Sequence, residues 1–172
     1  MCDVSPSVGS SRYIPGTRRG EDYGRSESPR PGAWVLLALL HAKHHALTPV
    51  QLQKSLFLLG KRRPKDVGKA FYHFRAYDYG PFDVAVYNDA DLLVADGLVA
   101  VNTRGGRSLR YYHLTDDGVA EAKRLARSAP EKALAYLAEV VPWAQQLSFN
   151  ELVRAVYAEY PEMRENSVFR DN

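Results

Sequence analysis

The sequence predicts an α+β protein, mostly α-helical, with a winged helix-turn-helix-like core, a β-hairpin wing and two extra C-terminal helices. Three observations carry this. The aromatic run from Phe71 to Phe82 reads as a strand broken at Gly80-Pro81, after which the apolar period changes. Val86, Ala90, Leu93 and Val94 then recur at helical spacing up to Asp96-Gly97. Two apolar strands, 98–101 and 109–114, flank an Arg/Gly turn, and helical patterns resume beyond them.

Composition narrows the class. The chain has 172 residues, enough for one core, and a formal charge of +3, which permits contact with nucleic acid without demanding it. No apolar run approaches the roughly 20 residues that span a bilayer, and the N-terminus has no charged-then-apolar leader. A single cysteine, Cys2, allows no disulfide within the chain, so a reducing cytoplasm is the expected setting.

Residues 1–32 are rich in Ser, Gly, Pro and Arg and read as a disordered N-terminal tail before a single domain over 33–172. A first helix is expected over 33–45, with Val35, Leu36, Leu39 and Leu40 as its stripe. His41, His44 and His45 would share a face at its end, a spacing that can hold a metal, but neither Cys nor a nearby carboxylate completes a site. No cofactor is expected.

Thr48-Pro49 opens a second helix as N-cap and N1, with Leu52, Leu56 and Leu59 inward and Gly60 at its close. A basic stretch follows: Lys61, Arg62, Arg63, Lys65 and Lys69, a contact surface for phosphates or an acidic protein if it is more than solvated.

Between residues 76 and 103 there is no Lys or Arg, against Asp78, Asp83, Asp89, Asp91 and Asp96. A helix that enters the major groove needs outward Arg, Lys, Asn or Gln, and Asn88 alone answers. Asp83 and Asp89 serve the helix N-terminus or water, or offer an acidic face to a basic protein. The wing differs. Arg104, Arg107 and Arg110 put cations on a Gly-Gly turn, where they can grip phosphates.

Thr115-Asp116-Asp117-Gly118 caps the next helix, with Val119, Ala122, Leu125 and Ala126 inward. A helix over 131–141 stops near Pro142, and Ser148-Phe149-Asn150-Glu151 is a capping box that opens the last one, to about 160. These two helices cover the core's back or mediate a homodimer. The core list is Leu36, Leu40, Leu52, Leu56, Phe74, Val86, Leu93, Leu98, Leu114, Leu125 and Val156.

Leu52-Gln53-Lys54-Ser55-Leu56-Phe57 and Tyr77-Asp78-Tyr79-Gly80-Pro81-Phe82, with an amphipathic helix and Gly97-Leu98-Val99 behind them, resemble the Panacea domain, the SocA-like antitoxin family. The resemblance covers about residues 34–126. It implies a non-enzymatic protein-binding domain that neutralises a toxin encoded nearby. The surface expected for that partner is Tyr77, Tyr79, Gly80, Pro81, Phe82, Asp83 and Asp89. Tyr is frequent in binding hot spots. The alternative is a transcription regulator that contacts DNA through Lys61, Arg62, Arg63, Lys65, Arg104, Arg107 and Arg110. No nucleophile elbow, phosphate loop or carboxylate pair marks an enzyme.

Overall fold

Burial on every side defines the first helix. Trp34, Val35, Leu36, Leu37, Ala38 and Leu39 are consecutive and all buried, so α1 (Pro31–His41) is a central helix rather than a one-faced one. The computed structural model describes residues 28–104 and 109–170. Residues 1–27 of the expected tail lie outside them, but 28–32 belong to the fold. Ser28 donates to the Asp66 carbonyl at 2.7 Å, and α1 begins at Pro31.

Among the described residues the chain is α+β, with seven helices and two small antiparallel sheets. After α1 come β1 (Ala46–Leu47), α2 (Pro49–Arg62), the single turn α3 (Pro64–Val67), β2 (Arg75–Tyr77), β3 (Gly80–Phe82) and α4 (Val84–Ala95). Then follow β4 (Val99–Arg104), β5 (Leu109–Leu114), α5 (Asp116–Ala126), α6 (Glu131–Gln146) and α7 (Phe149–Glu159). The larger sheet has the order β1-β5-β4 and the smaller pairs β2 with β3. Around α1 pack α2, α4, α5, α6 and β5.

Local signals act as the sequence leads one to expect. Thr48 accepts from the Gln51 amide at 3.2 Å while Gln51 accepts from the Thr48 amide at 3.0 Å, a capping box. Ser148 and Glu151 form the second one, and Thr115 caps α5. At the end of α4 the Leu98 amide bonds Leu93 O and the Gly97 amide bonds Val94 O. Gly97 has φ +74°, so this is a Schellman ending that needs a left-handed residue. Leu36, Leu52, Leu56, Val86, Leu114 and Val156 are buried, and Leu40, Phe74, Leu93, Leu98 and Leu125 pack partly buried against the same core.

Five expectations are corrected. The first helix stops at His41, because His44 and His45 take φ +58° and +52°. The three histidines therefore share no helical face, and no metal-binding cluster occurs among the described residues. Gly60 does not end α2, which runs on to Arg62. A Cβ on Gly60 would lie 2.8 Å from the Phe71 ring, so its role is to admit that ring. The chain from Phe71 forms no strand until Arg75, where β2 begins, and Phe71 and Tyr72 are instead both buried in the core. Phe71 to Tyr77, expected as a third strand or an extended segment, gives only β2 of the smaller sheet, and the third strand of the main sheet is Ala46–Leu47, registered as Ala46 on His113 and Leu47 on Tyr112. Gly80-Pro81 does not end the strand run but sits within β3, paired with Tyr77 and Ala76. Finally, α6 passes through Pro142 to Gln146, held by buried Val140, Val141 and Ala144 on either side of the proline.

No helix of the described residues is long and apolar enough to cross a membrane.

Candidate functional site

The two motifs that stand out in the sequence meet in space. On α2 the buried polar residues Gln53 and Lys54 face β3. Gln53 donates from Nε2 to the Asp83 carbonyl at 2.9 Å and accepts from the Asp83 amide at 3.1 Å. Lys54 Nζ donates to the Pro81 carbonyl at 3.0 Å. These bonds satisfy strand-edge groups that would otherwise be buried unpaired. Burial without a counter-charge lowers the Lys54 pKa to about 7.

The hairpin is narrow. Tyr77 pairs with Gly80, Ala76 with Pro81 and Arg75 with Phe82. Gly80 has φ +95°, and a Cβ there would sit 3.3 Å from Tyr157 and 3.6 Å from Lys54. The conformation favours glycine, and the space beside Tyr157 is tight for any side chain. Pro81 lacks an N–H and is buried where its carbonyl alone is used.

Asp83 is the N-cap of α4. Its carboxylate accepts from the Ala85 amide at 2.9 Å and from the His73 amide at 2.8 Å. The reading of Asp83 as a helix-terminus group thus holds, and each of its carboxylate oxygens accepts one internal bond. Asp89 is also engaged. The Tyr72 hydroxyl lies 2.5 Å from its Oδ2 and 2.8 Å from Pro31 O. Burial first, then the Asp89 carboxylate, pushes the Tyr72 phenol well above its ordinary pKa.

Of the seven residues expected to meet a protein, Gly80 and Pro81 are buried, and Asp83 and Asp89 are bonded internally. What faces outward is Tyr77, 53% exposed, and Tyr79, 44% exposed, with Phe82 half-buried between them and α4. Tyr77 stacks on Phe82 at 5.0 Å, and Phe82 meets Tyr87 edge-on at 5.4 Å. Tyr79 rests against Phe149 at 5.2 Å. The outer face of α4 adds Val84, Leu92, Asn88 and Asp91, all exposed. Sequence reading missed Val84 and Leu92 and counted Val94 in the helical apolar repeat, though it is exposed. A helix with apolar residues on more than one side gives no single stripe to read.

The chain beyond α7 completes this surface. The Val168 amide donates to Asp78 O at 2.9 Å, Ser167 Oγ donates to the same oxygen at 3.2 Å, and Asn166 donates to Ala76 O at 3.2 Å. Phe169 is buried beside Tyr157 and Phe149. Nothing in the sequence pattern announces this strap.

The basic residues are divided. Arg62 bonds Glu159 at 2.5 Å and Lys61 lies 4.0 Å from Glu162, while Arg63 is half-buried and Lys65 exposed. Arg110 is exposed beside Thr48 and Pro49, at the opposite end of α2. The 14 residues of α2 separate the two groups by about 20 Å. Arg107 and the side chain of Arg104 lie outside the described residues.

No protein-family model, no curated protein and no solved structure matches this chain.

Proposed function

We propose that the chain is a non-enzymatic protein-binding module, an antitoxin-like domain that neutralises a partner toxin encoded nearby. The observation that carries this is the set of exposed groups on the β2–β3 hairpin and the adjoining α4, Tyr77, Tyr79, Val84, Leu92 and Asp91, which joins exposed rings and aliphatics to negative charge. Exposed apolar groups clustered on one face suit a protein partner. The absence of any Lys or Arg on α4 suits a basic partner and repels phosphates. A toxin that acts on nucleic acid or nucleotides has a basic cleft, and this face would block it by occupancy and by charge. The likeness of the two interlocked motifs to the Panacea family supports the same reading.

A DNA-binding regulator is the second reading. The order α1, β1, α2, α4 and the β4–β5 hairpin supports a winged helix-turn-helix-like core. Against DNA stand the acidic α4 and the two basic groups set at opposite ends of α2.

The test is co-expression with the neighbouring gene products and affinity purification. Tyr77→Ala/Tyr79→Ala and Leu92→Lys/Asp91→Lys should each release the partner, with about 2 kcal/mol or more lost per central tyrosine. Both pairs lie at exposed positions, so the fold survives. Unchanged retention by both folded variants rules out this surface. Co-purification of DNA and no protein rules out the function.

A further inference from the structure

We infer that the groove between the end of α2 and the chain at residues 71–74 docks an acidic peptide segment of a partner protein, one that carries a large aromatic side chain. The groove holds about 730 Å³. Its floor is Phe57, Phe71 and Phe74, with ring centroids of Phe57 and Phe74 5.6 Å apart. Gly60 lets the Phe71 ring of the floor pack directly against α2, because any Cβ there would meet that ring. Lys61, Lys65 and Lys69 form the rim, and no carboxylate of the described residues lines it. Lys61 is 4.0 Å from Glu162 and sits 5.6 Å over the rings of Phe57 and Tyr160, so one end of the groove already couples a cation to an aromatic wall. Lys65 and Lys69 stand exposed along the rest.

This arrangement fits one chemistry. An apolar floor takes an inserted ring, and Lys65 and Lys69 on the rim take the carboxylates that flank it. A nucleic-acid strand would also neutralise lysines, but bases stack on exposed ring faces. Here Phe57 and Phe71 are buried and Phe74 is half-buried, so the floor offers one partly open ring at the base of a pocket rather than a raised platform for successive bases. The groove does not use Tyr77, Tyr79 or α4's outer face, so the inference stands apart from the proposed toxin surface.

The test uses the full chain and a fluorescein-labelled peptide of Asp, Glu and Gly around one central Trp, followed by anisotropy. Three probes are compared with it: the same peptide with Ala for Trp, with Lys for every Asp and Glu, and single-stranded oligothymidylate. The acidic Trp peptide should bind saturably, and each comparison probe should bind roughly tenfold more weakly or not at all. Lys65→Glu/Lys69→Glu, folded by circular dichroism, should lose roughly tenfold in affinity, and Tyr79→Ala none. The inference is overturned by no saturable binding, by undiminished binding to the Lys65/Lys69 variant, or by equal binding of the Ala peptide. It is also overturned by tighter binding of the oligonucleotide, or by a self-associated state that protects Lys65 and Lys69 from labelling.

Discussion

Lys54 Nζ lies 3.0 Å from the Pro81 carbonyl oxygen, so the second helix and a hairpin 27 residues further on are joined by one buried ammonium. The lysine is 3% exposed, and desolvation alone lowers its pKa from 10.5 to about 7. The folded protein therefore binds fewer protons than the unfolded chain between those two values. Stability rises with pH across that window, and below about pH 7 the full cost of the buried charge is present.

The first prediction follows from that sign. Urea midpoints of the wild type should climb from about pH 7 to about pH 9.5, by a few kcal/mol in unfolding free energy. Lys54→Met, of similar length and without charge, should flatten the climb. Tyr87, pushed up to about 12 by burial, opposes the trend only above that range, as its neutral form is favoured in the fold. A wild-type profile as flat as that of Lys54→Met would show that the ammonium reaches water.

Gly80→Ala should destabilise by about 1–3 kcal/mol. Its φ of +95° is strained for any L side chain, and the new methyl meets Tyr157 at 3.3 Å. Thermal unfolding measures the loss. Gly97→Ala, also at positive φ but with open space around it, should cost less.

Asp83→Ala should cost about 1–2 kcal/mol in urea titration, since it removes the cap of α4 and frees the His73 amide. Asp91→Ala, exposed on the same helix, should stay within about 0.5 kcal/mol. Equal costs would mean that Asp83 acts only as surface charge.

The contrast between these two aspartates shows how far the sequence reaches. Caps were legible: Thr48, Thr115 and Ser148 bond groups within three residues, and Gly97 ends α4 by its own dihedrals. The β4–β5 hairpin was legible because strand period and turn lie together in the chain. Gln53 and Lys54 look like the polar side of a helix until β3 is placed against them, and that contact spans 27 to 30 residues. Asp89 looked free for the same reason, its partner Tyr72 being 17 residues back. A two-residue strand such as β1 carries too little pattern to read, and the histidine spacing after α1 had meaning only if the helix continued.

The strap after α7 yields the last prediction. Phe169 is buried beside Tyr157 and Phe149, and Phe149 in turn supports Tyr79. The Val168 amide and Ser167 hydroxyl hold Asp78 O, in the turn that carries Tyr79. The turn has few other restraints, since its residues 78 and 79 pair with no strand. Phe169→Ala should thus release the strap and speed amide exchange at Val168, while exchange in α2 stays slow because Lys54 and Gln53 still hold β3. Global stability should fall by less than the roughly 3–5 kcal/mol of a central Phe→Ala change, since a segment outside the helices can detach without unfolding them. Ser167→Ala should act in the same direction more weakly, through the bonds to Asp78 O and the Tyr157 hydroxyl. Hydrogen exchange read by mass spectrometry separates the outcomes. Faster exchange confined to residues 76–80 and 165–170 identifies the strap as the clamp on the exposed tyrosines, whereas a uniform rise across α2 and α7 would mean that Phe169 belongs to the common core.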